Sequence, residues 1–209
     1  MNVRLIAMTQ PMYGEFTDPT HGGKINMKAE DLIAYCARVS NPSNQNNTNT
    51  SAKLLKYCMD NDHWSVFEMV NVVFEVNTTR DIARQILRHR SFSFQEFSQR
   101  YADPNQLGFT IREARLQDTK NRQNSIETSD DELKRAWKLK QEQLVHESKI
   151  VYKWAMDNGI AKEQARAVLP EGLTMSRMYT AGSLRSWIHY IQLRSSNGTQ
   201  KEHMEIARQ

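Results

Sequence analysis

The chain has 209 residues, 39% of them hydrophobic and 25% charged, which suits one substantial folded core and excludes a disordered polymer. Its 28 basic and 24 acidic residues leave a net charge of +4, an excess that favours small anionic ligands. It lacks the dense basic stripe and interleaved aromatics of a DNA- or RNA-binding module.

Taken in chain order, Val3 to Met8 reads as a short strand. Met1 to Ile6 is too short for a signal peptide and no apolar run could span a bilayer, so a soluble, cytoplasmic protein with no membrane partner is expected. Ala29 to Val39 has helical spacing through Leu32, Ile33, Cys36 and Val39, and the Asn-rich stretch 41–50 is a loop. Ala52 to Met59 is a second helix with Leu54, Leu55 and Cys58 turned inward. Two cysteines, Cys36 and Cys58, make neither a disulfide framework nor a zinc site. Val66 to Val76, rich in Val and Phe, predicts a strand, after which Thr78 or Thr79 caps a helix to about Arg88. On that helix Arg80, Arg84 and Arg88 share one face, away from Ile82, Ala83 and Ile86.

Residues 103–131 are polar enough to predict a long surface excursion with at most one short element. Leu133 to Met156 is a long helix whose expected buried side chains are Trp137, Leu144, Ile150, Val151 and Trp154, ended by Asn158-Gly159. A short helix, Ala161 to Leu169, stops at Pro170. Tyr179 falls in a strand or turn, Leu184 to Arg194 is a helix with Leu184, Trp187, Ile188 and Ile191 as core, and a last helix starts at Gln200. The fold class is α/β, or α+β by strict segregation: one domain, residues 1–209, of mixed helices around a central, mostly antiparallel sheet. No GxGxxG follows a strand and no GxxxxGKS/T occurs, so a Rossmann topology and a P-loop are both excluded, and Gly22-Gly23 rescues neither.

The chemistry is concentrated in Arg88 to Tyr101, which reads RHRxxSxxExSxRY. It sets guanidinium forks, hydroxyls, a carboxylate and a phenol where a helix gives way to a loop. A bland alternative is a solvated basic patch, but His89 between two arginines is held from protonating, which a plain surface does not require. Asp62 to Glu68 gathers His63, Ser65 and Glu68, alone consistent with an ordinary turn. Ala165 to Pro170 reads alone as a short helix with one exposed arginine, Arg166. In the helix ending at Arg194, Arg185 and His189 sit four residues apart, a pattern that does not ligate metal, and none is expected anywhere in the chain.

Eight positions of the Arg88–Tyr101 run, with His63, Ser65, Phe67 and Glu68 in an HxxxFE register and Arg166 in an ARxxLP element, resemble the flavin-dependent thymidylate synthases. The resemblance extends from Ala37 to Gln200 and fails in the 103–131 excursion. It implies reductive methylation of dUMP to dTMP, with methylenetetrahydrofolate as carbon donor, FAD as hydride carrier and NADPH as reductant of the flavin. It assigns dUMP contacts to Gln85, Arg88, Glu96, Ser98, Gln99, Arg100, Arg166 and Arg194, with Arg166 reaching another subunit's site. Arg194 is the catalytic arginine, polarising the pyrimidine carbonyl. FAD contacts fall to His63, Ser65, Glu68, Arg88, His89, Arg90, Ser91, Glu96, Arg185, His189 and Leu193. The implied assembly is a homotetramer with shared active sites.

This chain departs from the family pattern at Gly198, where many relatives have a flavin-contacting His, and at Gln95, Ser183 and His189, where some have Asn. Relatives commonly continue beyond the position of Gln209. Ser98 lacks a general base beside it in sequence and reads as a substrate ligand, not a nucleophile. Two alternatives use the same residues: a non-catalytic nucleotide- or nucleic-acid-binding module, and a flavin-binding homologue without turnover.

Overall fold

The computed structural model describes residues 1–12 and 27–209, and the Gly22-Gly23 pair lies outside them. Its centre is a four-stranded sheet in the order β1-β2-β6-β3, from β1 (Asn2–Met8), β2 (Asn71–Thr79), β3 (Ser93–Glu96) and β6 (Met175–Ser183). Every pairing is antiparallel, and β2 and β6 run together over nine consecutive positions, from Asn71↔Ser183 to Thr79↔Met175. Alternation along β2 explains the layering. Val72, Phe74 and Val76 point into the hydrophobic core with Trp187, Met178 and Ile206. Glu75 points the other way, taking hydrogen bonds from Arg4 Nη2 (3.0 Å), Tyr179 Oη (3.0 Å) and Asn77 Nδ2 (3.1 Å). Led by the Asn77 bond, these hold its carboxyl below the usual glutamate value despite burial.

Helices α1 (Ala29–Ala37) and α2 (Ser51–Asp60) pack through Ile33 and Cys58 onto one end of this core. Val39, expected inside, is 69% exposed because α1 ends two residues before it. The strand expected over Val66 to Val76 begins only at Asn71. Ahead of it Trp64–Met69 forms a 3-10 turn. Trp64, Phe67 and Val70 recur every three residues, which is the 3-10 repeat, and all three pack into the core. Helix α3 (Arg80–Ile86) is shorter than predicted. His89 N–H bonds back to the Ile86 carbonyl, and the chain turns toward β3. Arg88 therefore leaves the face that Arg80 and Arg84 share. Thr79 stands at the N-cap position, but its hydroxyl engages Asp81 and Arg112 instead of a helix N–H.

The 103–131 excursion is more ordered than its composition suggests. It carries a 3-10 turn at Pro104–Gln106 and a small hairpin, β4 (Arg115–Gln117) with β5 (Ser125–Glu127). Asp130 then caps the long helix α4 (Asp131–Asp157) by accepting from Leu133 N–H at 2.9 Å. Here the predicted burial is inverted. Trp137, Leu144, Ile150, Val151 and Trp154 are all exposed, Trp154 at 59%, while Gln141, Val145, Ser148, Tyr152 and Ala155 face the chain's own body. The inner face suits close approach to the short helix α5 (Lys162–Ala165): Tyr152, Ala155 and Ala165 form a small cluster, and Gln141 brackets the backbone of Arg112 with two 2.9 Å hydrogen bonds. α5 passes into a 3-10 turn at Arg166–Val168 before Pro170.

Helices α6 (Leu184–Arg194) and α7 (Lys201–Arg208) close the fold. Trp187 and Tyr190 are buried as the core face of α6, whereas Ile191, expected there, is 45% exposed. Tyr190 Oη lies 3.0 Å from His203 Nε2, joining the two helices deep inside the protein. Burial, with Arg194 and His89 nearby, pushes the His203 imidazole from 6.5 down to about 4. The neutral ring is therefore the folded form, and the unfolded chain binds the proton first as pH falls. Stability is fully present above pH 6.5 and drains between there and about 4; from this group alone the loss is about 2 kcal/mol by pH 5. His89, whose value is also lowered, adds in the same direction. The melting temperature should fall steeply between pH 7 and pH 5, and less steeply in His203→Asn. A variant with the wild-type slope would remove His203 from the account.

Candidate active site

The predicted site residues fall into three groups on this scaffold. The first is the turn between α3 and β3. Phe92 anchors it, packing on Trp187 with ring centroids 4.5 Å apart. Gly182 makes room for that ring, since a Cβ there would lie 2.3 Å from Phe92 Cδ1. With Phe92 pinned, Arg88, Arg90 and Ser91 stand exposed, and neither arginine meets a carboxylate among the described residues. His89 turns inward against Tyr190 (centroids 5.0 Å), and Arg194 Nε donates to His89 Nε2 at 2.8 Å. The acceptor nitrogen carries no proton, so His89 is the neutral tautomer with hydrogen on Nδ1. Burial first, then Arg194 and Arg88, hold its pKa below the ordinary histidine value. Sequence expected repulsion from Arg88 and Arg90. The structure substitutes Arg194 for Arg90 and adds burial as the larger cause. Gln85, one turn back on α3, is tied into the interior by Gln200 and His203.

The second group lies beyond β3. Glu96 is half-buried, accepting from Ser176 Oγ at 2.7 Å with Arg80 Nη1 at 3.5 Å. Ser98 and Arg100 line an open cavity of about 410 Å³ with Tyr101, Ala161, Lys162 and Glu163. Arg100 meets Glu163 at 3.5 Å, and Arg166 Nε donates to the Glu163 carbonyl at 3.4 Å. Arg166 thus stands on the same wall as Arg100 of its own chain. Gln99 is buried, and its amide nitrogen has no partner among the described residues.

The third group surrounds the start of α6. Arg185 Nη1 reaches Glu68 Oε1 at 3.2 Å, and His189 packs against Trp64 at a tilt of 58° with centroids 4.4 Å apart. His63 and Ser65 are exposed beside them on the 3-10 turn, His63 edge-on to Tyr57. Leu193 is exposed on the same helix. Arg194, at its far end, connects this surface to the first group. The structure thus joins groups one and three along α6, and no residue of either group lines the Ser98–Arg100 cavity. Sequence reasoning missed Trp64, Lys162, Glu163, Tyr190, Gln200 and His203. His203 had a signal: three and four residues ahead of Ile206 and Ala207, it falls on the buried stripe of an amphipathic helix.

The arginine distribution has a physical logic. Arg80 and Arg84 both bind Glu171, and Arg112 and Arg115 share Glu202. The turn following α3 instead keeps Arg88 and Arg90 at the surface with no carboxylate partner among the described residues, an arrangement suited to an anionic ligand.

The family described as thymidylate synthase complementing protein (Thy1) matches residues 25–209. A "flavin-dependent thymidylate synthase" of a Synechocystis species is 49% identical over 207 residues, covering 99% of this chain and 91% of the relative. A "probable flavin-dependent thymidylate synthase" of Paramecium bursaria Chlorella virus 1 is 47% identical over 207 residues, covering 99% and 90%. Among solved structures, the UMP/dUMP methylase PolB of Streptomyces cacaoi, bound with 5-Br dUMP, superposes with a TM-score of 0.79 at 24% identity, covering all of this chain and 86% of that one. That likeness establishes the shared fold. By profile match and by near-full-length identity, the chain belongs to the thymidylate synthase complementing protein family.

Proposed function

We propose that this protein is a flavin-dependent thymidylate synthase that methylates dUMP reductively to dTMP, taking the carbon from methylenetetrahydrofolate and reducing equivalents from NADPH through FAD. The observation that carries this reading is the Arg194–His89 contact. It brings together two motifs separated by 105 positions and sets a cation beside two unneutralised arginines. The donor chemistry fits FAD. Arg88, Arg90 and Ser91 suit a diphosphate, and the His189–Trp64 pair offers ring faces beside the His63–Glu68 turn. Bound there, the flavin supplies the hydride.

The protein's own contribution is placement and charge. Arg88, Arg100 and Arg166 neutralise the nucleotide phosphate, with Ser98 and Glu96 fixing the sugar and base. Arg194, oriented by the neutral His89 ring, stabilises negative charge on a pyrimidine carbonyl. His89 can accept this bond only while unprotonated, which its lowered pKa secures.

The residues assigned to the nucleotide do not line one cavity of a single chain, since Gln85, Arg88 and Arg194 are absent from the cavity of Ser98 and Arg100, which supports a site completed between subunits. So does α4, whose Trp137, Leu144, Ile150, Val151 and Trp154 face outward at 42–59% exposure and gain stability when a partner covers them. A homotetramer accounts for both features.

Three experiments test this. Purified protein with FAD, NADPH and methylenetetrahydrofolate should release tritium from C5-labelled dUMP, and omission of any one should stop it. Release independent of flavin, or none from flavin-loaded protein, would overturn the reading. Arg88→Ala and Arg194→Ala should each lower kcat by at least about 10²-fold with an unchanged circular dichroism spectrum. Turnover like wild type in either removes its assigned role. The double variant Leu144→Glu/Trp154→Glu should shift the mass measured by light scattering from tetramer to smaller species, and an unchanged mass excludes α4 as the contact.

A further inference from the structure

A hydrogen-bond chain runs from the interior to Gln85, and its direction is fixed at one end. Glu202 is buried, and Arg112 Nη1 (3.0 Å) and Arg115 Nη2 both meet its carboxylate. A carboxylate only accepts. Gln200 must therefore turn its NH₂ toward Glu202, as it does at 2.9 Å, leaving its carbonyl for Gln85. Gln85 answers with its own NH₂, at 2.8 Å from Gln200 Oε1. Its carbonyl is thereby aimed at His203 Nδ1, 3.2 Å away, which must carry the ring proton. His203 Nε2 is then bare, and Tyr190 Oη donates to it at 3.0 Å. Each amide and ring along the path has one permitted orientation.

From this polarity we infer that His203 is a positioning residue for the nucleotide: together with Gln200 it holds the Gln85 carbonyl inward, so that Gln85 presents an N–H donor, and no acceptor, to an oxygen of the ligand. The inference rests on the proposed dUMP site and deepens it. Gln85 has one amide hydrogen left after its bond to Gln200, and its side chain is only partly buried. An inward carbonyl excludes a ligand that offers a donor at that position, so the chain from Glu202 acts as a specificity filter. Released from His203, the Gln85 amide keeps only its bond to Gln200 against rotation, and the filter is weakened although the fold persists.

The test is a double-mutant cycle on the flavin-loaded protein, reading the dUMP Kd by calorimetry and KM and kcat by tritium release. His203→Leu is expected to weaken dUMP binding about tenfold, the scale of one lost hydrogen bond, with bound flavin and kcat little changed. His203→Asn, which keeps a donor at the Nδ1 position, should recover most of that affinity. In a Gln85→Ala background, where no amide remains to orient, His203→Leu should have no further effect on Kd. An equal loss in that background, or unchanged affinity in His203→Leu, overturns the inference. Should His203→Leu fail to fold, nitrogen-15 spectra of the wild-type imidazole decide the matter. Protonated Nδ1 and bare Nε2 support the inference, and the opposite tautomer overturns it. Wild-type protein that binds no dUMP overturns the functional reading itself, whereas binding without dependence on His203 overturns the positioning role alone.

Discussion

A buried carboxylate is costly unless cations and donors surround it, and Glu202 is enclosed by Arg112, Arg115 and Gln200. Burial raises its pKa, but the helix-end N–H, Arg112, Gln200 and Arg115 outweigh that and leave it lowered, so the group stays charged. Much of the remaining architecture is arranged around this ion. Arg112 also bridges to Asp81 and Thr79 at the start of α3, and Gln141 of α4 grips its backbone. One residue thus ties together α3, α4 and α7. Loss of Glu202 would strip Arg112 and Arg115 of their shared buried partner and unfasten α7 from them, leaving Arg112 to Asp81 and Arg115 to Glu113, while loss of an exposed pair such as Lys56–Asp60 would cost little.

The same pairing decides where charge remains available. Acidic residues answer the arginines that build the scaffold, and none answers the two that follow α3. Unneutralised charge beside a rigid aromatic anchor suits the proposed anion site, since Phe92 fixes the turn in the chain without ligand. Arg100 differs, because Glu163 lies against it in the unliganded chain. A phosphate entering that cavity competes with this carboxylate, and Lys162 stands beside it as a further cation.

Local order was read well from the residues wherever one rule governed it. The end of α4 at Asn158-Gly159 and the span of α6 from Leu184 to Arg194 both appear where the pattern places them. Misreadings occurred where two rules competed. Trp64 to Val70 has the composition of a strand but the three-residue repeat of a 3-10 turn. The hairpin of β4 and β5 has three-residue strands, too short for periodicity to register. Helix α4 exposed a deeper ambiguity: a hydrophobic stripe marks a face that avoids water without saying whose atoms cover it. Here the chain's own body took the face of Val145, Ser148 and Ala155, leaving Trp137 and Trp154 outward. His203 was missed because a histidine on an apolar stripe reads as a mere exception, and only the Gln85 and Tyr190 side chains, distant in sequence, give it a purpose.

That outward face gives the protein an optical property. The chain has four tryptophans, and two of them, Trp137 and Trp154, sit half-exposed on α4, while Trp187 is in the core and Trp64 is packed against it. Indole emission shifts to the blue when water is removed from the ring, so any surface that covers α4 changes half of the chromophores while leaving the other half as an internal reference. The protein therefore carries its own label-free gauge of association, readable at dilutions where scattering fails. Because the reporting rings lie away from His89 and Arg194, assembly can be followed in the same cuvette as nucleotide binding.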